Sequence, residues 1–159
     1  MAIQITELSP QTLETDAWVY LTVRSTEGKA LTVTGGIHGK GEAVAAVQWS
    51  WRDDVPYQLW QVQWVDNEYY KLVAKYSGKV LTVAEASTDD GAAVVQASWR
   101  GGDNQLWRST PLQTGGLMLT AKHSGKVLDV NGDSMGDGAA LIQWPAKSQP
   151  NQTWHMWQP

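Results

Sequence analysis

The chain has 159 residues, a net charge of −4 and no cysteine, which fits one domain large enough to bury a core. Its Lys and Arg are scattered, so it offers no electrostatic footprint for nucleic acid or an anionic membrane, and the missing thiols exclude disulfides and thiolate metal sites. No apolar run approaches bilayer-spanning length, and Met1 to Trp18, with Glu7, Glu14 and Asp16, lacks the basic-then-apolar pattern of a secretory leader. The expectation is a soluble protein, cytoplasmic or released without a classical signal peptide.

In chain order, the first strand-like alternation is Leu31-x-Val33, followed by the glycine-rich loop Thr34 to Gly41. Trp60-Gln61-Val62-Gln63-Trp64 alternates in the same way. Lys71–Lys75, Val80–Val83, Ala93–Ala97 and a run opening at Trp107 then read as four short strands, punctuated by Asp89-Asp90-Gly91 and Gly101-Gly102-Asp103. Gly115-Gly116 opens the last third, in which Leu128-x-Val130 alternates again and Gly132 through Gly138 turn the chain. No stretch holds a 3.6-residue apolar stripe between caps, so no long helix is expected.

These elements recur at a fixed spacing. Gln58-Leu59-Trp60, Gln105-Leu106-Trp107 and Gln152-Thr153-Trp154 place their tryptophans 47 residues apart, as are Ser77-Gly78-Lys79-Val80-Leu81 and Ser124-Gly125-Lys126-Val127-Leu128. The first copy reads Glu27-Gly28-Lys29-Ala30-Leu31 and runs 32 residues from Gly28 to Trp60, against 29 from Gly78 to Trp107. Its three extra residues are expected within Thr34 to Gly41 and around Val55-Pro56. Three repeats, approximately 17–64, 65–111 and 112–159, fill a single domain spanning 1–159. A four-stranded unit cannot bury its own apolar face, so three must share one core around a pseudo-threefold axis. The predicted fold is all-β, a twelve-stranded β-trefoil.

The Gln-x-Trp motif in each repeat, the Gly-Lys-x-Leu-x-Val strand before it and the Gly-Gly-Asp-Asn-Gln turn resemble the ricin B-type β-trefoil lectins. The likeness is strongest to their cysteine-free bacterial and fungal members and covers about residues 17 to 159. The resemblance implies one sugar site per repeat: an Asp on the second strand, an aromatic eight residues before the motif's Gln, and an Asn just before that Gln. In such a site the ring stacks on the apolar face of a pyranose and the carboxylate accepts from two neighbouring hydroxyls. The Asn amide donates to one hydroxyl and accepts from another, while the Gln braces the set.

By that resemblance the third repeat is complete, with Asp129, Trp144, Asn151 and Gln152. The alternative reading makes Trp144 a core residue and Asp129 a solvated strand charge. Asn131 and Gln143 are secondary candidates for the rim, or else ordinary surface residues. The second repeat keeps Asn104 and Gln105, but Thr82 and Ala97 stand where the Asp and the ring belong, and Trp99 is expected to pack inward. The first repeat offers Trp49, nine before Gln58, with Thr32 for the Asp and Pro56-Tyr57 for the turn, and reads as a degraded or altered site. Trp51, Trp60, Trp107 and Trp154 are assigned to the core.

Other motifs carry less. Asp53-Asp54 and Asp89-Asp90 are adjacent loop pairs, which rarely aim both carboxylates at one bond. His38, His123 and His155 lack metal-ligand spacing, and Gly35 to Gly41 lacks the glycine spacing and hydroxyl of a phosphate loop. Asn151-Gln152-Thr153 is formally a glycosylation sequon. The reading is a non-enzymatic lectin without cofactor or metal, binding galactose- or GalNAc-type glycans mainly through the third repeat. Its alternative is a trefoil protease inhibitor acting through the loops Thr34–Gly41 and Asn131–Gly138, both read as enlarged. A third reading is a glycan-targeting subunit of a toxin or adhesin. One weak site per chain calls for avidity, so a homodimer is expected. The segment before Trp18 and the first repeat's spare tryptophans are its candidate interface.

Overall fold

The computed structural model describes Thr6–Glu7, residues 17–26 and residues 28–159. A two-residue strand, β1 (Thr6–Glu7), precedes twelve others. The first repeat contributes β2 (Tyr20–Val23), β3 (Lys29–Val33), β4 (Val44–Ser50) and β5 (Trp60–Asp66). The second contributes β6 (Tyr69–Ala74), β7 (Val80–Val83), β8 (Val94–Ala97) and β9 (Trp107–Pro111). The third contributes β10 (Leu117–Ala121), β11 (Val127–Val130), β12 (Leu141–Trp144) and β13 (Trp154–Gln158).

The outer strands of the repeats close a barrel. β5 pairs antiparallel with β6, β6 with β9, β9 with β10, β10 with β13 and β13 with β2, and a bridge between Val19 and Trp60 completes the ring. The middle strands form three hairpins, β3–β4, β7–β8 and β11–β12. These meet as a cap through β4–β8 pairing and the bridges Val47–Ala140 and Ala93–Ile142. This is the expected β-trefoil, and a closed barrel removes the exposed edges that an open sheet would leave.

Trp60, Trp107 and Trp154 are fully buried at the axis. Each indole N–H donates to a second-strand carbonyl: Leu31 at 3.0 Å, Leu81 at 3.0 Å and Leu128 at 3.2 Å. A buried indole without such a partner would leave a costly orphan donor. The preceding Gln completes the motif. Its Oε1 accepts the backbone N–H of Arg52, Arg100 or Lys147, and its Nε2 donates to the carbonyl of Ser50, Ser98 or Pro145. Each repeat thereby ties the exit of its third strand to the start of its fourth.

A second set of glutamines joins the repeats in a cycle. Gln48 Nε2 donates to Ser134 and Gly136 carbonyls, Gln96 to Gly39 and Gly41, and Gln143 to Ser87 and Asp89. The Ser of the SGK motif supplies the remaining bond, Ser77 to Gln96 Oε1 and Ser124 to Gln143 Oε1. The first copy has Glu27 in place of that Ser, and Gln48 Oε1 is buried without a partner among the described residues.

Register locates the first repeat's extra residues. Ala30 faces Trp49, where Val80 faces Ala97 and Val127 faces Trp144, so two of them lie in the β3–β4 loop. That loop holds a short 3-10 turn, Gly36–His38. The third lies between Trp49 and Gln58. The loop Asn131–Gly138, read as enlarged, is the same length as Ala84–Gly91, because Val83 faces Val94 as Val130 faces Leu141.

Candidate functional site

Strand alternation aims the site. Leu128 and Val130 enter the core, so Asp129 between them faces the opposite side of β11, as Thr82 does on β7 and Thr32 on β3. Each of these three residues opens a cleft beneath its hairpin, and the three clefts are symmetry mates filled differently.

The third-repeat cleft has a volume of about 300 Å³ and is lined by Asp129, Asn131, Asp133, Trp144, Lys147 and Asn151, among others. It brings together Asp129, Trp144, Asn151 and the rim residue Asn131. Asp129 is 4% exposed, and it is the only buried carboxylate among the described residues. Its Oδ2 accepts from Gln152 Nε2 at 2.8 Å and its Oδ1 from Asn151 Nδ2 at 3.3 Å. Burial raises its pKa above the usual carboxylate value, opposed by the Gln152 bond and the Lys147 charge, and assisted by Asp133.

Asn151 departs from its expected double role. Its Nδ2 donates to both Asp129 and the Val130 carbonyl (3.1 Å), which uses both amide hydrogens. Its Oδ1 is buried and has no partner among the described residues, so Asn151 is poised only to accept. Gln152 is fully committed to Asp129, the Pro145 carbonyl and the Lys147 amide, and acts as a brace.

Trp144 is half-buried rather than part of the core. Its ring edge meets the second-repeat loop: a Cβ added at Gly91 would sit 3.8 Å from Cζ3, and Gly91 holds φ +85°, a conformation that suits glycine. The Lys147 ammonium lies 5.4 Å from the ring centre. Gln143 does not reach this cleft. It is fully buried with its amide spent on the second-repeat loop and Ser124, so its assignment to the rim is corrected to an inter-repeat tie.

Sequence reading passed over Lys147, Asp133 and Gln149, which also line the cleft. Lys147 had a legible signal, since it stands five residues before Gln152 as Arg100 stands five before Gln105. Asp133 and Gln149 carry no repeat signature.

In the second-repeat cleft Asn104 is present, its Nδ2 bound to the Val83 carbonyl at 2.9 Å. Thr82 donates to the Val80 carbonyl and accepts from Gln105, and Ala97 offers no ring. Trp99 is 36% exposed with the Lys71 ammonium 4.7 Å from its ring, not packed inward. Its neighbours Ser98 and Arg100 are pinned to Glu42 and Gln105, which leaves the intervening side chain facing out. Trp49 lines the first-repeat cleft and is 38% exposed. Trp51, assigned to the core, is only partly buried, edge-on to Tyr20 at 5.4 Å.

The chain matches the family model of ricin-type β-trefoil lectin domain-like proteins over residues 11–97, 56–144 and 103–158. No curated protein matches it. Among solved structures it is similar to ThreeFoil, a designed three-fold symmetric protein, at 42% identity and a TM-score of 0.84, covering 89% of this chain and 98% of that one. An exo-β-1,3-galactanase from Clostridium thermocellum shares 30% identity at a TM-score of 0.84 over 93% of this chain. The match spans only 31% of that enzyme's chain. The Rhizoctonia solani agglutinin shares the fold at 18% identity and a TM-score of 0.79, covering 93% of this chain and 99% of its own. The family supports carbohydrate binding in general. Matched three times in succession between residues 11 and 158, the chain belongs to the ricin-type β-trefoil lectin domain-like family.

Proposed function

We propose that this protein is a non-enzymatic lectin that holds a galactose- or GalNAc-type sugar in its third-repeat cleft. Trp144 underlies the apolar face of the ring, Asp129 accepts from adjacent hydroxyls, and Asn151 Oδ1 accepts from a further one. The observation that carries this reading is the buried Asn151 Oδ1, unpartnered among the described residues, beside the buried Asp129 carboxylate in an open cleft walled by an indole. Native proteins rarely leave such an acceptor unpaired, and a ligand hydroxyl supplies the missing donor. Galactose is favoured by the resemblance and by the similarity to part of a chain named as a galactanase.

A shallow cleft with one ring and a few hydrogen bonds supports an affinity on the order of −4 to −5 kcal/mol, sub-millimolar to millimolar. Pairing two chains would raise apparent affinity by about a hundredfold. A homodimer presenting its third-repeat clefts outward is therefore part of the proposal, tested by sedimentation at micromolar concentration. Of the expected interface, residues 1–5 and 8–16 lie outside the described residues, while β1 pairs with β13.

The test is calorimetric titration with galactose and GalNAc against wild type and Asp129→Ala. Wild type is expected to bind with the variant weakened about a hundredfold, since hydrogen bonds to a charged acceptor contribute roughly 1.5–3 kcal/mol each. Equal binding by both would show that the site is misassigned. Inhibition in a parallel protease panel, with no sugar binding, would favour the inhibitor reading instead.

A further inference from the structure

The first-repeat cleft has lost the carboxylate of its symmetry mate and is lined by a cation, Arg52, that has no ion-pair partner among the described residues. It has a volume of about 210 Å³ and is lined by Thr32, Trp49, Arg52, Tyr57 and Gln58 with the backbone around Gly35-Gly36. Thr32 fills the Asp129 position, but its hydroxyl already donates to the Ala30 carbonyl at 2.8 Å and accepts from Gln58 Nε2 at 3.2 Å. No carboxylate is left there to clamp two neighbouring hydroxyls. Tyr57 fills the Asn151 position and stands edge-on to Tyr76 at 6.2 Å. Trp49 keeps its platform role, with the third-repeat Gly138 packed against its edge as Gly91 packs against Trp144.

Three basic residues occupy equivalent rims, each anchored by its backbone N–H to the motif's Gln: Arg52 at 2.9 Å, Arg100 at 2.8 Å and Lys147 at 2.8 Å. Arg100 pairs with Glu42 across 3.8 Å, and Lys147 shares its cleft with Asp129 and Asp133. Among the described residues the Arg52 guanidinium has no ion-pair partner, and its cleft contains no carboxylate. Asp53 and Asp54 follow it in the chain but do not line the cleft. An arginine presents a planar fork suited to bidentate carboxylate binding, and here it borders an exposed indole.

We infer that the first-repeat cleft binds a carboxylate-bearing sugar, a uronic or sialic acid, stacked on Trp49 with its carboxylate on Arg52. That the ligand is a sugar rests on the lectin reading above; that it is an acid rests on the residues of this cleft alone. The protein thus carries two unlike sites, one selecting neutral sugars by a carboxylate and one selecting acidic sugars by a guanidinium.

The test uses the full chain carrying Asp129→Ala, so that the third-repeat cleft is silenced. The probes are methyl β-glucuronide, its methyl ester and N-acetylneuraminic acid, followed by calorimetry and by the indole N–H signals in NMR. At least one free acid is expected to bind, shifting the Trp49 indole. If glucuronide is that acid, its ester should bind at least tenfold more weakly. Adding Arg52→Gln should weaken acid binding at least tenfold, with a melting curve reporting that the variant is folded. Equal binding of acid and ester, acid binding that survives Arg52→Gln, or no acid binding at all would overturn the inference. Wild type that binds acids but not galactose would sink the third-repeat reading while leaving this one standing.

Discussion

The second- and third-repeat clefts share one frame, and two of their differences are the loss of the carboxylate and of the ring: Thr82 for Asp129 and Ala97 for Trp144. In both, the motif's Gln ties the strand exit to the second strand, and the motif's Trp is buried beneath it. Thr82 meets that Gln with a hydroxyl that is satisfied on both sides. Asp129 meets it with a buried carboxylate that the surroundings disfavour. Since a threonine closes the same junction in two repeats of three, the carboxylate is not there to hold the fold. On the proposed function, the difference separates what the trefoil needs from what a sugar would need.

The largest expected effect breaks the shared frame. Trp60→Ala, Trp107→Ala or Trp154→Ala should each cost about 3–5 kcal/mol of stability, as large-to-small core changes do. Trp144→Ala should cost much less while weakening galactose binding at least tenfold, about 1.4 kcal/mol. Denaturant melts of the four variants, with titrations of the last, check this ordering, and equal melts would show that frame and cleft were wrongly separated.

A second change sharpens the comparison by building the third cleft into the second repeat. Thr82→Asp with Ala97→Trp, in a frame that already holds Asn104 and Gln105, should raise galactose stoichiometry from one to two per chain. Calorimetry reads it directly. A folded variant that still binds one equivalent would mean that Lys147, Asp133 or the Gly91 wall contributes more than this account assigns.

The smallest effect is on pH dependence. A carboxyl whose folded pKa is raised holds its proton more tightly when folded. Its contribution to stability is fully present below the unfolded pKa and is lost as pH rises through the folded pKa. Asp129 is such a group. Asp129→Asn should therefore raise Tm at neutral pH, and the gain should shrink as wild type is acidified. Asp137, held below the usual carboxylate range by Lys29 and Ser50, should behave oppositely, its contribution lost as pH falls through its folded pKa.

Much of the fold was legible because its devices repeat. The Gln-x-Trp pairs and the alternation around Leu31, Leu81 and Leu128 recur with the barrel, so twelve strands and three core tryptophans follow from spacing. The misplaced residues are those whose role depends on another repeat. Gln143 looks like a rim residue until the loop Ser87–Asp89 arrives to take its amide. Trp99 and Trp51 sit beyond the third strand, where pinned neighbours rather than alternation decide the facing. In the candidate site, Asp129, Trp144 and Asn151 follow the family's pattern, whereas Asp133 and Gln149 stand where the second repeat has Ala86 and Gly102, so their positions repeat but their side chains do not.

The most direct measurement is a paired one on Asp129→Thr, which gives the third repeat the residue found in the other two. Thermal melting and galactose titration are run on the same sample. The account predicts a folded protein with Tm at or above that of wild type and galactose binding lost. A variant that unfolds, or that binds galactose as wild type does, would contradict it.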